Sequence, residues 1–101
     1  MHTNNVKANH RPGLTKEYWD SNELPPRGDF EFITEPNGQR RFWFICPGCM
    51  TMAPLAIRPV IDGSPQSWEW DGNTEAPTLT PSINHNGCWH GWLTAGQFTS
   101  C

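Results

Sequence analysis

Ten prolines and nine glycines are spread along 101 residues, and this punctuation limits the fold more than any other feature. A proline inside a helix removes a hydrogen bond and clashes with the preceding turn, at a cost of about 3 kcal/mol. Long helices are therefore excluded, and short extended segments joined by turns remain.

The segments that remain read as strands. Asp29-Phe30-Glu31-Phe32-Ile33-Thr34 alternates aromatic and charged residues as a half-buried strand does. Asn37-Gly38 supplies a strong hairpin signal, and Gln39 to Ile45 forms the return strand that runs into Cys46. Ala53 to Arg58 reads as an edge strand because Pro54 cannot donate to a ladder. Ser67 to Trp70, Thr78 to Ile83, and a closing hairpin from Cys88 to Cys101 around Ala95-Gly96 complete the series. The expected fold is all-β, a small sheet or sandwich of short antiparallel strands with no helix.

Residues 1–28 have scattered apolar side chains without periodicity and are expected to form an extended or flexible N-terminal arm. The folded domain is then 29–101, too short for a second core. A single core of this size rarely supplies more than ~3–5 kcal/mol, so a staple is expected. Twelve aromatic residues, six of them tryptophan, supplement it, since each buried ring removes roughly 150–250 Å² from water.

Cys46-Pro47-Gly48-Cys49 supplies half of that staple. Two thiols two residues apart, with glycine relieving the turn, have the spacing of a zinc knuckle. The redox alternative requires the pair to open a helix in a βαβ unit, whereas Pro47 and Gly48 interrupt it here. The other half lies far along the chain. With Ala95-Gly96 as the turn, Thr94 pairs with Gln97, Leu93 with Phe98, and His90 with Cys101; Cys88 shares a face with His90. The ligands of one structural zinc are read as Cys46, Cys49 and Cys101, with either His90 or Cys88 as the fourth. His85 reads as an exposed turn histidine.

Thiolate donation makes such a metal a weak Lewis acid, and the chain holds no H-E-x-x-H, no G-x-S-x-G, no deaminase signature and no phosphate-cradling glycine loop. The expectation is that the chain is not an enzyme. Seven basic against ten acidic residues, a net charge of −3, give no general attraction to nucleic acid. No apolar run approaches the ~20 residues of a membrane span, so neither a membrane nor nucleic acid is a favoured partner.

The ordered series Cys46-Pro47-Gly48-Cys49, Trp68-Glu69-Trp70-Asp71-Gly72-Asn73, Ala76-Pro77-Thr78-Leu79-Thr80-Pro81-Ser82-Ile83, Cys88-Trp89-His90-Gly91-Trp92-Leu93 and Cys101 resembles a family of small uncharacterised domains of bacteriophages and prophages. Some of its members bear the name "ammonia monooxygenase". The resemblance covers about residues 42–101 and implies a zinc-binding β domain of phage origin. In many members the thiol directly precedes the histidine; Trp89 stands between them here, which favours His90 as the aligned ligand.

The expected function is a phage-encoded, zinc-stabilised protein-interaction module, either an accessory virion component or an inhibitor of a host or anti-phage defence protein. It would act on another protein in the host cytoplasm or on the virion. The alternatives are a nucleic-acid-binding zinc domain using Arg40 and Arg41, and a metal-dependent hydrolase.

Overall fold

A computed structural model describes residues 5–20 and 25–100. The order of elements is β1 (Asn5–Lys7), β2 (Asn9–His10), α1 (Leu14–Asp20), β3 (Asp29–Thr34), β4 (Arg40–Ile45), β5 (Met52–Ile57), β6 (Glu69–Trp70), β7 (Leu79–His85), β8 (Trp89–Thr94) and β9 (Gln97–Ser100). Among the described residues the protein is all-β apart from one short helix. Five strands form one sheet in the order β1-β9-β8-β7-β6, and four form the other in the order β2-β3-β4-β5.

The alternation seen in the sequence decides which residues lie between the sheets. Phe30, Phe42, Phe44, Leu55 and Ile57 from the four-stranded sheet meet Leu79, Ile83, Leu93 and Phe98 from the five-stranded one, all of them buried. Phe44 stacks on Phe98 with ring centroids 5.7 Å apart, and Phe42 lies 5.2 Å from Phe30. Truncating one such ring to alanine costs about 3–5 kcal/mol, so a few phenylalanines carry this core.

Both hairpins form where the turn residues place them. Ala95 (φ 47°) and Gly96 (φ 76°) close β8 onto β9 with Thr94 opposite Gln97 and Leu93 opposite Phe98. Between β3 and β4, Gly38 alone takes a positive φ (93°), and the Glu35 N–H bonds the Gln39 carbonyl at 2.9 Å. That turn is therefore longer than a two-residue Asn-Gly turn. Pro54 lies on β5 at the edge of its sheet.

The N-terminal segment differs from an extended arm. β1 pairs antiparallel with β9, β2 pairs parallel with β3, and Leu14 is fully buried. The helix α1, which the sequence pattern did not indicate, is held by a residue seventeen positions beyond its start. The buried Glu31 carboxylate accepts from the Gly13 and Thr15 N–H groups, both at 2.8 Å, and from the Thr15 hydroxyl. A helix this short has little intrinsic stability. It forms because a carboxylate from the sheet satisfies its first donors. Arg11 reinforces the junction, with Nη1 donating to the buried Asp29 carboxylate at 2.9 Å.

Candidate active site and candidate metal centre

The hairpin of β7 and β8 carries two separate groups of functional side chains. Its tip turns at Asn86-Gly87-Cys88, where the Cys88 N–H bonds the His85 carbonyl at 2.8 Å. The register pairs Ile83 with Gly91, Asn84 with His90, and His85 with Trp89. Ile83 and Gly91 are buried, so the alternating residues Ser82, Asn84, His90 and Trp92 belong to the opposite, outer face of the sheet.

On that face Ser82 Oγ and His90 Nε2 are 3.2 Å apart. The strand register alone would put Asn84, not Ser82, beside His90. Ser82, two residues from Asn84 on the same face, reaches His90 as a diagonal cross-strand neighbour. Ser82 is also fixed from the other side, where the Trp68 indole N–H donates to its carbonyl at 3.3 Å. His90 is exposed and Ser82 half-buried. A hydroxyl in hydrogen-bond reach of an imidazole is the arrangement that activates a serine nucleophile. Among the described residues His90 makes no hydrogen bond or ion pair with a carboxylate, so the unit is a dyad.

Next to Ser82 lies a cavity of about 310 Å³, lined by Arg58, Gln66, Trp68, Pro81, Ser82 and Asn84 among others. The Arg58 guanidinium is held there by the Ser67 hydroxyl at 2.9 Å and carbonyl at 3.2 Å.

The second group gathers at the hairpin tip. The ligand atoms of Cys46, Cys49 and His85 all lie within 4.8 Å of one another, an arrangement that could hold a metal ion. Cys49 Sγ is 3.7 Å from His85 Nδ1. Around the Cys46-Cys49 turn, the Met50 N–H bonds the Cys46 carbonyl at 3.0 Å, the Gly48 N–H approaches Cys46 Sγ at 3.4 Å, and Met50 takes a φ of 64°. Gly48 is required by close approach, because a Cβ there would overlap the Cys88 carbonyl oxygen and come within 2.9 Å of Trp89 Cβ. The two turns are thus packed directly onto each other.

Cys88, exposed at the hairpin tip, adjoins this group. Its thiol donates to the Cys49 sulfur, which together with Thr51 holds Cys49 down to about 6, while the same contact pushes Cys88 up to about 11. Burial pushes the Cys46 thiol up. Cys46, Cys49 and Cys88 are free thiols.

The ligands expected from the sequence are thus distributed differently. Cys46 and Cys49 come together, and Cys88 adjoins them. His90 stands apart from them with Ser82, because Trp89 and His90 point to opposite faces of β8. His85 takes its place in the group. Cys101 lies outside the described residues. The residue that sequence reasoning missed is Ser82, since no G-x-S-x-G or similar context marks it. Its only signal is a serine and a histidine flanking the Asn86-Gly87 turn.

A family model described as "Bacterial ubiquitination-like system serine protease (BubE)" matches residues 15–101. The chain belongs to this family. The BubE match spans both halves of the Ser82–His90 dyad and every cysteine. It overturns the expectation of a non-enzymatic, phage-encoded interaction module, and with it the nucleic-acid-binding and metal-dependent hydrolase alternatives, because a BubE chain is a member of a family described as serine proteases. A serine and a histidine brought together across a hairpin leave no contiguous signature in the chain. No curated protein and no solved structure compared with this BubE chain matches it. Among its described residues no helix is long and apolar enough to cross a membrane.

Proposed function

We propose that this chain is a serine protease in which Ser82 is the nucleophile and His90 the general base. The observation that carries the reading is the 3.2 Å approach of Ser82 Oγ to His90 Nε2 on an accessible sheet face, in a chain of a family described as serine proteases. His90 Nε2 takes the hydroxyl proton as Oγ bonds to the scissile carbonyl carbon. The same proton then passes to the departing amine, leaving an acyl group on Ser82. Water, deprotonated by His90, releases the acyl group and restores the hydroxyl. Arg58 and Gln66, which line the adjoining cavity, offer N–H donors for the charge that develops on the carbonyl oxygen. The substrates in this reading are proteins of the bacterial ubiquitination-like system that the family description names.

The metal centre complements this reading. Cys46, Cys49 and His85, with the neighbouring Cys88 as the proposed fourth donor, would make a three-sulfur, one-nitrogen set that suits tetrahedral zinc, and a set closed by four protein ligands is structural. When bound, the ion supplies a cross-link between the Cys46–Cys49 turn and the β7–β8 hairpin, and no chemistry of hydrolysis. Free thiols of this kind suit a reducing compartment such as the cytoplasm.

A fluorophosphonate probe tests the assignment. Its adduct, located by peptide mass spectrometry, is expected on Ser82 and absent from Ser82→Ala, with p-nitrophenyl acetate hydrolysis lost in step. Labelling at another residue, or hydrolysis unaffected by Ser82→Ala, would overturn it.

A further inference from the structure

The strand that carries Ser82 is only partly covered on its outer side. β6 pairs with β7 at Glu69–Thr80 and Trp70–Leu79 and at no other position. Upstream of Glu69 the chain turns away to the other sheet. Trp68 bridges Ile57 in parallel, with the Trp68 N–H on the Ala56 carbonyl and the Arg58 N–H on the Trp68 carbonyl, both at 2.9 Å. Beyond Thr80, then, β7 has no backbone partner on this side among the described residues.

The direction of the outward backbone groups, of which the Ser82 carbonyl is already engaged by Trp68, follows from strand alternation. The Ser82 carbonyl points outward, since it accepts from the Trp68 indole. In an extended strand a residue's N–H and C=O point to one side and its neighbours' to the other, so the N–H and C=O of Asn84 also point outward. Two cavities lie along this edge. The one beside Ser82, of about 310 Å³, and a second of about 370 Å³ share Pro65, Gln66, Trp68 and Asn84 as lining. Together they form a trough from Ser82 to His85. Its far wall is the edge strand β5, and its floor includes the core residues Phe44, Leu55 and Ile83.

An unpaired strand edge is a template for another extended chain. Here the template begins at the nucleophile and has an apolar floor for a side chain. We infer that the outer edge of β7 from Ser82 to His85 binds an extended polypeptide substrate by strand addition, laying its backbone along Asn84 and bringing a peptide carbonyl to Ser82. This rests on the serine protease reading and deepens it: the substrate is an unfolded or tail segment of a protein, recognised by its main chain, rather than a folded surface or a small ester.

The test uses the Ser82→Ala chain, reduced and carboxymethylated casein as an unfolded polypeptide, and amide hydrogen exchange by NMR. Casein is expected to slow exchange at the Asn84 amide at least tenfold. Gln66→Trp, whose indole fills the trough, is expected to abolish that protection while the melting temperature holds. Undiminished exchange at Asn84 in saturating casein, or protection that survives Gln66→Trp, would overturn the inference. The dyad is scored separately by fluorophosphonate labelling of the unmodified chain, so a labelled Ser82 with an unprotected Asn84 sinks the strand-addition site alone.

Discussion

Gly48 lies against the carbonyl of Cys88 so closely that no side chain fits between them. Forty residues separate the two in sequence, yet each sits in a turn that supplies thiols to one cluster. The contact joins the β4–β5 connection of one sheet to the hairpin tip of the other, and that hairpin also carries Ser82 and His90.

Gly48→Ala tests this contact. The added methyl group meets backbone at Cys88, which cannot swing aside as a flexible side chain would. Overpacking of this kind costs about 1–3 kcal/mol. Urea unfolding of the zinc-loaded protein is expected to show that loss, together with weaker zinc retention; an unchanged midpoint would mean that the turns are not packed as described.

The two histidines of the hairpin are expected to separate cleanly by function. His85→Ala removes a ligand of the proposed metal centre, so zinc measured by atomic absorption is expected to fall well below one equivalent. His90→Ala keeps its zinc and its melting temperature, since the ring is exposed, but lowers p-nitrophenyl acetate turnover by roughly 10²–10⁴. The reverse pattern would exchange their roles.

Zinc removal should act on both. Binding to the folded state alone at a thousandfold excess over Kd contributes about 4 kcal/mol. Chelation at neutral pH is therefore expected to lower the melting temperature sharply. Hydrolysis should decline with it, because His85 and Cys88 anchor the strands bearing Ser82 and His90. Added zinc is expected to restore both; hydrolysis that persists in fully metal-free protein would show the dyad to be independent of the clamp.

Glu31→Ala addresses the N-terminal helix. It strips the Gly13 and Thr15 N–H groups of their carboxylate acceptor, and a hydrogen bond to a charged group contributes about 1.5–3 kcal/mol. Proteolysis within residues 14–20 is expected to accelerate in the variant. Equal protease resistance would show that Leu14 burial alone holds the helix.

The sequence by itself determined the elements whose signals are local. Alternation in 29–34, the Ala95-Gly96 turn with its register, and the edge position of Pro54 all follow from neighbours a few residues apart. So does the gathering of Cys46 and Cys49. Tertiary structure decided everything that depends on direction. Whether His85 or His90 joins the thiols is settled by which face of a strand each occupies, and the pairing of Asn84 with His90 places Ser82 diagonally beside the same ring. The helix α1 likewise depends on Glu31, a residue on a strand formed later in the chain. The physical reason is the same in each case: periodicity reports which residues are apolar, while a hydrogen bond between distant side chains exists only after the sheets have packed.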